Sequence, residues 1–299
     1  MNANLRGILA MVASTAGFAV NDAIVKLATT ELPTGELIVI RGIMATTLIA
    51  LAAWYFSALR PISVLLQPAM MLRILAAAVA TLFIVAALRY LPLAITSAVL
   101  QVTPLLVTAG SALLLGSRVG WQRWTVSLVG LAGVLLIIRP GANGLNAHVW
   151  IALAALLFTT MRDLTTRFID HSVPSLFVAL ASSAVITLAG AGLAATETWV
   201  VPSWRALALL AGASLAVFIG YHLGVVAMRT GEIAAVAPFR YSTILLALML
   251  SYLIWGYVPD EISLLGIVIV CLAGLYLLTR ERAAVPTASP IPTSVSRTR

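Results

Sequence analysis

Cysteine and charge are both scarce in this chain of 299 residues. The one cysteine, Cys271, has no partner within the chain for a disulfide and lies in an apolar run, where it reads as a small buried hydrophobe. Only 9% of the residues are charged while 62% are hydrophobic, and the mean hydropathy is +1.07. That composition excludes a water-soluble globule. Also missing are a phosphate-cradling Gly-rich loop ending in Lys-Ser/Thr, a His-Glu-x-x-His pair, a cysteine cluster and a Gly-x-Ser-x-Gly elbow. Without them, ATP-driven transport within this chain and the familiar membrane-embedded hydrolases lose their support, and no cofactor or metal is implied. The balance of 18 Lys+Arg against 10 Asp+Glu gives a net charge of +8. In a soluble protein such an excess suggests nucleic acid as a partner; in a membrane protein it marks cytoplasmic loops, so no nucleic acid is expected here.

What is present is apolar helix. A bilayer core of about 30 Å takes roughly 20 mainly apolar helical residues, and the sequence predicts ten such spans: 6–28, 36–57, 72–90, 93–115, 121–138, 148–168, 175–195, 204–228, 233–256 and 262–279. Pro/Gly and polar breaks separate them, among them Arg60-Pro61, Leu91-Pro92, Arg139-Pro140-Gly141 and Thr230-Gly231. The stretch Gly7 to Val20 behind Arg6 imitates a signal peptide, but it runs into Asn21 and Asp22 without a small-residue cleavage site and reads as the first span. Residues 283–299, rich in Pro, Ser and Thr, read as a disordered cytoplasmic tail. No room is left for a soluble catalytic domain.

With a cytoplasmic N-terminus, inside segments hold Arg6, Arg60, Arg73, Arg118, Arg123, Arg167, Arg229, Arg280, Arg282, Arg297 and Arg299, and outside segments hold only Lys26, Arg89, Arg139 and Arg205. The bias predicts both termini in the cytoplasm, and the tail arginines are placed to touch anionic lipid headgroups. Outer loops instead carry Glu31, Glu36, Glu197, Asp260 and Glu261.

A shift near 140 residues reveals an internal repeat. Ala87, Arg89, Ala94, Thr103, Leu105, Leu106 and Gly116 match Ala227, Arg229, Ala234, Thr243, Leu245, Leu246 and Gly256; Leu131-Ala132-Gly133 matches Leu272-Ala273-Gly274; and Asp22, Lys26 and Pro33 match Asp163, Arg167 and Pro174. The predicted fold is therefore an all-α integral membrane protein with two five-helix repeats, residues 1–143 and 144–282. Five spans is an odd number, so the halves are inverted across the membrane, an arrangement suited to alternating access.

The order of several loose motifs resembles the drug/metabolite transporter superfamily, specifically its EamA-type ten-helix members. Those motifs are Phe18-Ala19-Val20-Asn21 leading to Lys26, Pro33 followed by Arg41-Gly42, Tyr90-Leu91-Pro92-Leu93-Ala94 to Pro104-Leu105-Leu106, and the Gly130 to Leu136 run. The likeness covers about residues 6–280 and is closest to bacterial exporters of aromatic amino acids. It implies an inner (plasma) membrane exporter with a central cavity built from both halves.

Ionisable groups inside hydrocarbon are costly and tend to face cavities or partners. Asp22, Arg41, Arg162, Asp163, His222 and Arg240 qualify. They read either as groups that bind the carboxylate or amine of a zwitterionic substrate, with Asp22 and Asp163 as candidates for proton coupling, or as interhelical ion pairs; Lys26, Arg41 and Arg167 read as structural. Arg162 and Asp163 project about 100° apart, so different partners are expected for them. Ser97, Gln101, Pro104 and Thr108 recur at three- or four-residue spacing and form one polar face of the fourth span, and Tyr241 aligns with Gln101 in the repeat. Pro104 and Pro238 break backbone ladders and are candidate hinges. Phe83, Tyr90, Phe218, Tyr221 and Tyr241 are placed to stack on a planar ligand, whereas Trp54, Trp121, Trp124, Trp150, Trp199 and Trp204 read as an interfacial belt. Ala208, Gly212, Ala216, Gly220 and Gly224 form a small-residue stripe suited to close packing within the chain or in a weak homodimer.

The sequence alone thus points to a secondary exporter of small metabolites, amino acids above all, by alternating access. The alternatives are a membrane enzyme acting on a lipid-linked substrate, for which Asp163 and His222 are the loose candidates, and a channel.

Overall fold

A computed structural model describes residues 3–115, 121–138, 147–170, 172–230 and 236–283. The predicted breaks at Gly116–Gly120, Arg139–Gly141 and Gly231 and the predicted tail beyond Ala283 lie outside the described residues. Helices run over α1 (Ala3–Ala28), α2 (Thr34–Tyr55), α3 (Pro68–Tyr90), α4 (Leu93–Leu100), α5 (Thr103–Leu115), α6 (Trp121–Ile138), α7 (Ala147–Thr166), α8 (Ser175–Ala194), α9 (Trp204–Thr230), α10 (Ser242–Trp255) and α11 (Glu261–Ala283), with 3-10 turns at Ile62–Leu66 and Ala237–Tyr241. Among the described residues seven helical segments are long and apolar enough to cross a membrane; the fold is all-helical and multi-pass. Prolines start several of the helices. Pro33, Pro92 and Pro174 precede α2, α4 and α8, and Pro68 opens α3, positions where the missing N–H costs nothing. Gly256 ends α10 at φ +64°, a left-handed conformation that glycine adopts without strain.

Large apolar side chains lie on the outside, including Leu245, Leu253, Leu265 and Leu272, because lipid rather than water surrounds the bundle. The interior is correspondingly rich in small residues. Gly17 of α1 faces the backbone of Ala216 and Gly220, and Gly220 in turn lies against the Ser14 carbonyl. The small-residue stripe of α9 therefore packs on α1 within the chain.

Helix pairing follows the repeat. α1 packs on α9 and α3 on α7, while α2 packs on α8, α6 on α11 and α4 on α10. Exchanging the two halves converts the first pair into the second and leaves the other three unchanged, as a pseudo-two-fold relation requires. The residues agree: Thr46 and Thr187, 141 apart, approach to 3.5 Å where α2 crosses α8, and the α2–α8 contact is completed by a 2.8 Å bond between Thr46 and Ser183. Two apolar clusters, one around Leu105, Leu156, Ile244 and Val270 and one around Leu37, Leu88, Leu93 and Leu210, each draw helices from both halves.

Candidate functional site

The predicted fourth span is not one helix. It breaks at Gln101-Val102, between α4 and α5, so Ser97, Gln101, Pro104 and Thr108 do not share a continuous face. The cause lies in Pro104, which has no N–H for the carbonyl of Leu100 four residues back; the Thr103 hydroxyl donates to that carbonyl instead, at 2.6 Å. In the ninth span Pro238 sits in the Ala237–Tyr241 turn ahead of α10. The two breaks meet: Gln101 Nε2 donates to the Arg240 carbonyl at 3.1 Å. Tyr241 beside it is buried against Gly274, Arg240 is exposed, and Ser97 is buried with its hydroxyl unpartnered.

The intramembrane charges gather in two related sets. In the first half, Asn21 Nδ2 donates to Asp22 Oδ1 at 2.8 Å, and Arg41 Nη2 donates to Asn21 Oδ1 at 2.9 Å. In the second half, Arg162 Nε donates to Asp163 Oδ1, also at 2.8 Å. The expectation that Arg162 and Asp163 take different partners is thus wrong: the guanidinium reaches back around the helix to its own neighbour, which the length of the arginine stem permits. Arg73, placed by its sequence position in a cytoplasmic segment, lies inside α3. It donates to Thr166 Oγ1 at 3.0 Å and Ser182 Oγ at 2.6 Å. Applying the shift of 141 to this geometry exchanges Asn21-Asp22 with Arg162-Asp163, Arg41 with Ser182 and Arg73 with Ser214; the Ser214 hydroxyl in turn approaches the Arg41 carbonyl at 3.3 Å.

Tyr221 of α9 lies within electrostatic range of arginines of both sets, Arg41, Arg73 and Arg162. Its ring meets Phe18 edge-on at 5.1 Å. Half of its surface remains accessible, and the Arg162 and Asp163 side chains keep 29% and 35% of theirs. Of the other predicted aromatic positions, Phe83 stacks on Phe158 at 5.9 Å, and Tyr90 stacks on His148 at the end of the bundle where α3 stops and α7 starts. His222 is exposed on α9. Sequence reasoning missed Asn21, Phe18, Arg73 and Ser182, and weighed Arg41 toward a structural role. Extending the repeat alignment by one residue, to Asn21 against Arg162, was the signal that would have found the first of them.

Lys26 is structural, as expected: its ammonium donates to the carbonyls of Leu88 and Leu91 at 2.6 and 2.7 Å, closing the C-terminus of α3, and lies over the Trp255 ring. Near the same end a carboxylate clasp joins the two halves. The Gly35 N–H donates to Glu197 Oε2 at 2.7 Å, the Val200 N–H to Glu36 Oε2 at 2.9 Å, and the Ser203 hydroxyl to Glu31 Oε2 at 2.8 Å, with Arg205 3.2 Å from Glu31. Glu36, expected in an outer loop, is instead within α2 and fully buried, because its carboxylate serves the linker between α8 and α9.

Residues 5–139 match the EamA-like transporter family. The S-adenosylmethionine uptake transporter of Rickettsia felis is 28% identical over 60% of this chain and 61% of its own length, so the chain spans somewhat under two thirds of that relative. The riboflavin transporter of Rhizobium johnstonii is 27% identical over 66% of this chain and 65% of its length. The pseudopaline exporter CntI of Pseudomonas aeruginosa is 27% identical over 89% of this chain and 95% of its length. A solved crystal structure superposes with a TM-score of 0.63 at 20% identity, covering 96% of this chain and 99% of the other, which shows the fold. These relatives bear the names of transporters rather than enzymes, and of three different compounds; the closer likeness expected to exporters of aromatic amino acids is not what they show. The match over residues 5–139 is thus a likeness to the EamA-like transporter family across somewhat under half of the chain, and the relatives named beside it are transporters of small metabolites.

Proposed function

We propose that this chain is a secondary transporter that exports small metabolites, amino acids or related compounds, across a bacterial inner membrane by alternating access of its two five-helix halves. The observation that carries the reading is the gathering of Asn21, Asp22 and Arg41 from the first half and Arg162 and Asp163 from the second, with Arg73 reaching across to Ser182, within apolar helices. Groups that are costly in hydrocarbon belong where they face a polar cavity, and a site between inverted halves is the part of such a fold that two rocking states expose in turn. In this reading both termini are cytoplasmic, Pro104 and Pro238 mark the backbone breaks at which the spans flex, and Asp22 and Asp163 are the groups available for proton coupling. Gln101, Arg240 and Tyr241 line the crossing of the two breaks. The protein works as a monomer, since the small-residue face of α9 is used by α1.

Flux into proteoliposomes tests it. Purified protein is expected to exchange labelled amino acids or related metabolites in a saturable, counterflow-stimulated manner, and Ala at Gln101, Arg240 or Tyr241 is expected to lower that flux in folded protein. Absence of flux across a broad metabolite panel, or single-channel currents in its place, refutes the reading.

A further inference from the structure

The two sets of intramembrane charges occupy equivalent positions in the repeats but are not equal in charge. In the first set one guanidinium, Arg41, accompanies one carboxylate, Asp22, through Asn21. In the second set two guanidinium groups, Arg73 and Arg162, accompany one carboxylate, Asp163. That carboxylate is engaged by Arg162 at 2.8 Å; Arg73 feels its charge but donates its hydrogen bonds to the neutral hydroxyls of Thr166 and Ser182. Thr166 links the two arginines: its hydroxyl accepts from Arg73 Nε at 3.0 Å and donates to the Arg162 carbonyl at 2.7 Å. The difference arises at three positions: Arg162 stands where the first repeat has Asn21, Arg73 where the second has Ser214, and Ser182 where the first has Arg41, a net gain of one positive charge. The second set therefore holds one guanidinium more than it has carboxylates among the described residues. An excess charge inside a membrane bundle is costly without a partner, and an arginine fork matches a planar two-oxygen anion. Tyr221, within electrostatic range of both arginines and half exposed, offers a hydroxyl as a further donor.

Resting on the transporter reading above, we infer that the transported compound carries a carboxylate and that Arg73, with Arg162 and Tyr221, forms the subsite that binds it. The first set, neutral overall, is left to the remainder of the molecule. A compound whose carboxylate is masked as an amide leaves Arg73 unpaired and is rejected.

Matched pairs test the assignment: phenylalanine and methionine against their amides, with O-phosphoserine and inorganic phosphate as further competitors. The readouts are competition for flux in proteoliposomes and, independently of flux, stabilisation of the detergent-purified protein. The acids are expected to compete and stabilise at concentrations at least tenfold lower than the amides. Arg73→Gln is expected to bring that ratio near one, and Arg73→Lys, which keeps the charge and loses the fork, to restore part of it. Equal potency of acid and amide in the unaltered protein overturns the carboxylate subsite while leaving transport standing, as does an unchanged ratio in folded Arg73→Gln protein. Preference for phosphate or O-phosphoserine over the carboxylates overturns it in favour of a phosphate site. Absence of all flux refutes the transporter reading alone, and the stabilisation ratios then still decide the subsite.

Discussion

The carboxylate clasp is expected to hold one end of the bundle shut, and Glu197 is the place to open it. Its Oε2 accepts the Gly35 N–H at 2.7 Å, and α2 has no side-chain cap of its own because Pro33 stands at its N-cap. A carboxylate at a helix N-terminus gains both a charge-assisted hydrogen bond and a favourable dipole interaction. Removing it strands a part-buried N–H, for a combined loss of about 2 kcal/mol in the state where the halves touch. In the open state the contact is absent and nothing is lost. Glu197→Ala is then expected to shift the closed-to-open equilibrium roughly 30-fold toward opening, and Glu197→Gln, which keeps an acceptor but not the charge, by less. Ala206, fully buried near the start of α9, reports on that opening. With Cys271 replaced by Ser and Ala206 by Cys, the rate of labelling by a membrane-impermeant maleimide is expected to rise by about that factor. A cysteine at Ala181, buried toward the other end near Phe177 and Met70, is expected to show no rise. Labelling of Ala206→Cys within twofold of the Glu197 parent, in protein that has lost the carboxylate, refutes the clasp as a closure device.

Glycines on the α1–α9 seam are expected to differ sharply by position. A Cβ on Gly220 meets the Ser14 backbone carbonyl at 3.2 Å, whereas one on Gly212 meets only the end of Ile24 at 3.7 Å. Gly220→Val should therefore lower stability by about 1 to 3 kcal/mol or prevent recovery of folded protein, while Gly212→Ala should be close to neutral in thermal unfolding followed by size exclusion; equal effects at both refute the packing argument. Lys26→Met removes two hydrogen bonds to the end of α3 and is expected to cost about 2 kcal/mol of stability without changing which compounds compete for flux. A changed substrate profile would place Lys26 in the site rather than in the scaffold.

The repeat was legible because landmark residues such as Asp22 and Asp163 recur at a fixed shift, and that recurrence survives in the pairing of α1 with α9 and α3 with α7. The charged site was legible only in part. Asp22, Arg162, Asp163 and Tyr221 stand out as polar groups in apolar helices, but Arg73 lies close enough to a predicted span end to read as a loop charge. Gln101 and Tyr241 align in the repeat, but that Gln101 bonds to the Arg240 carbonyl only the structure shows; the break beside it was obscured because Pro104 acts on backbone groups three and four residues earlier.

By itself the sequence determined that this protein crosses a membrane many times, in helices, as two related halves. Lipid imposes its requirement on each segment separately, through apolar length and internally satisfied backbone, and such local demands can be read one stretch at a time. The tertiary structure alone decided which charges face one another, that Arg162 turns to Asp163, that Arg73 is left with two hydroxyls, and that Glu36 and Glu197 tie the halves together. Those outcomes depend on how each helix is rotated about its axis and which helix it meets. In helices apolar on every side neither is fixed by hydrophobic patterning, so both are settled by close packing of small residues and by the few polar groups that must find partners.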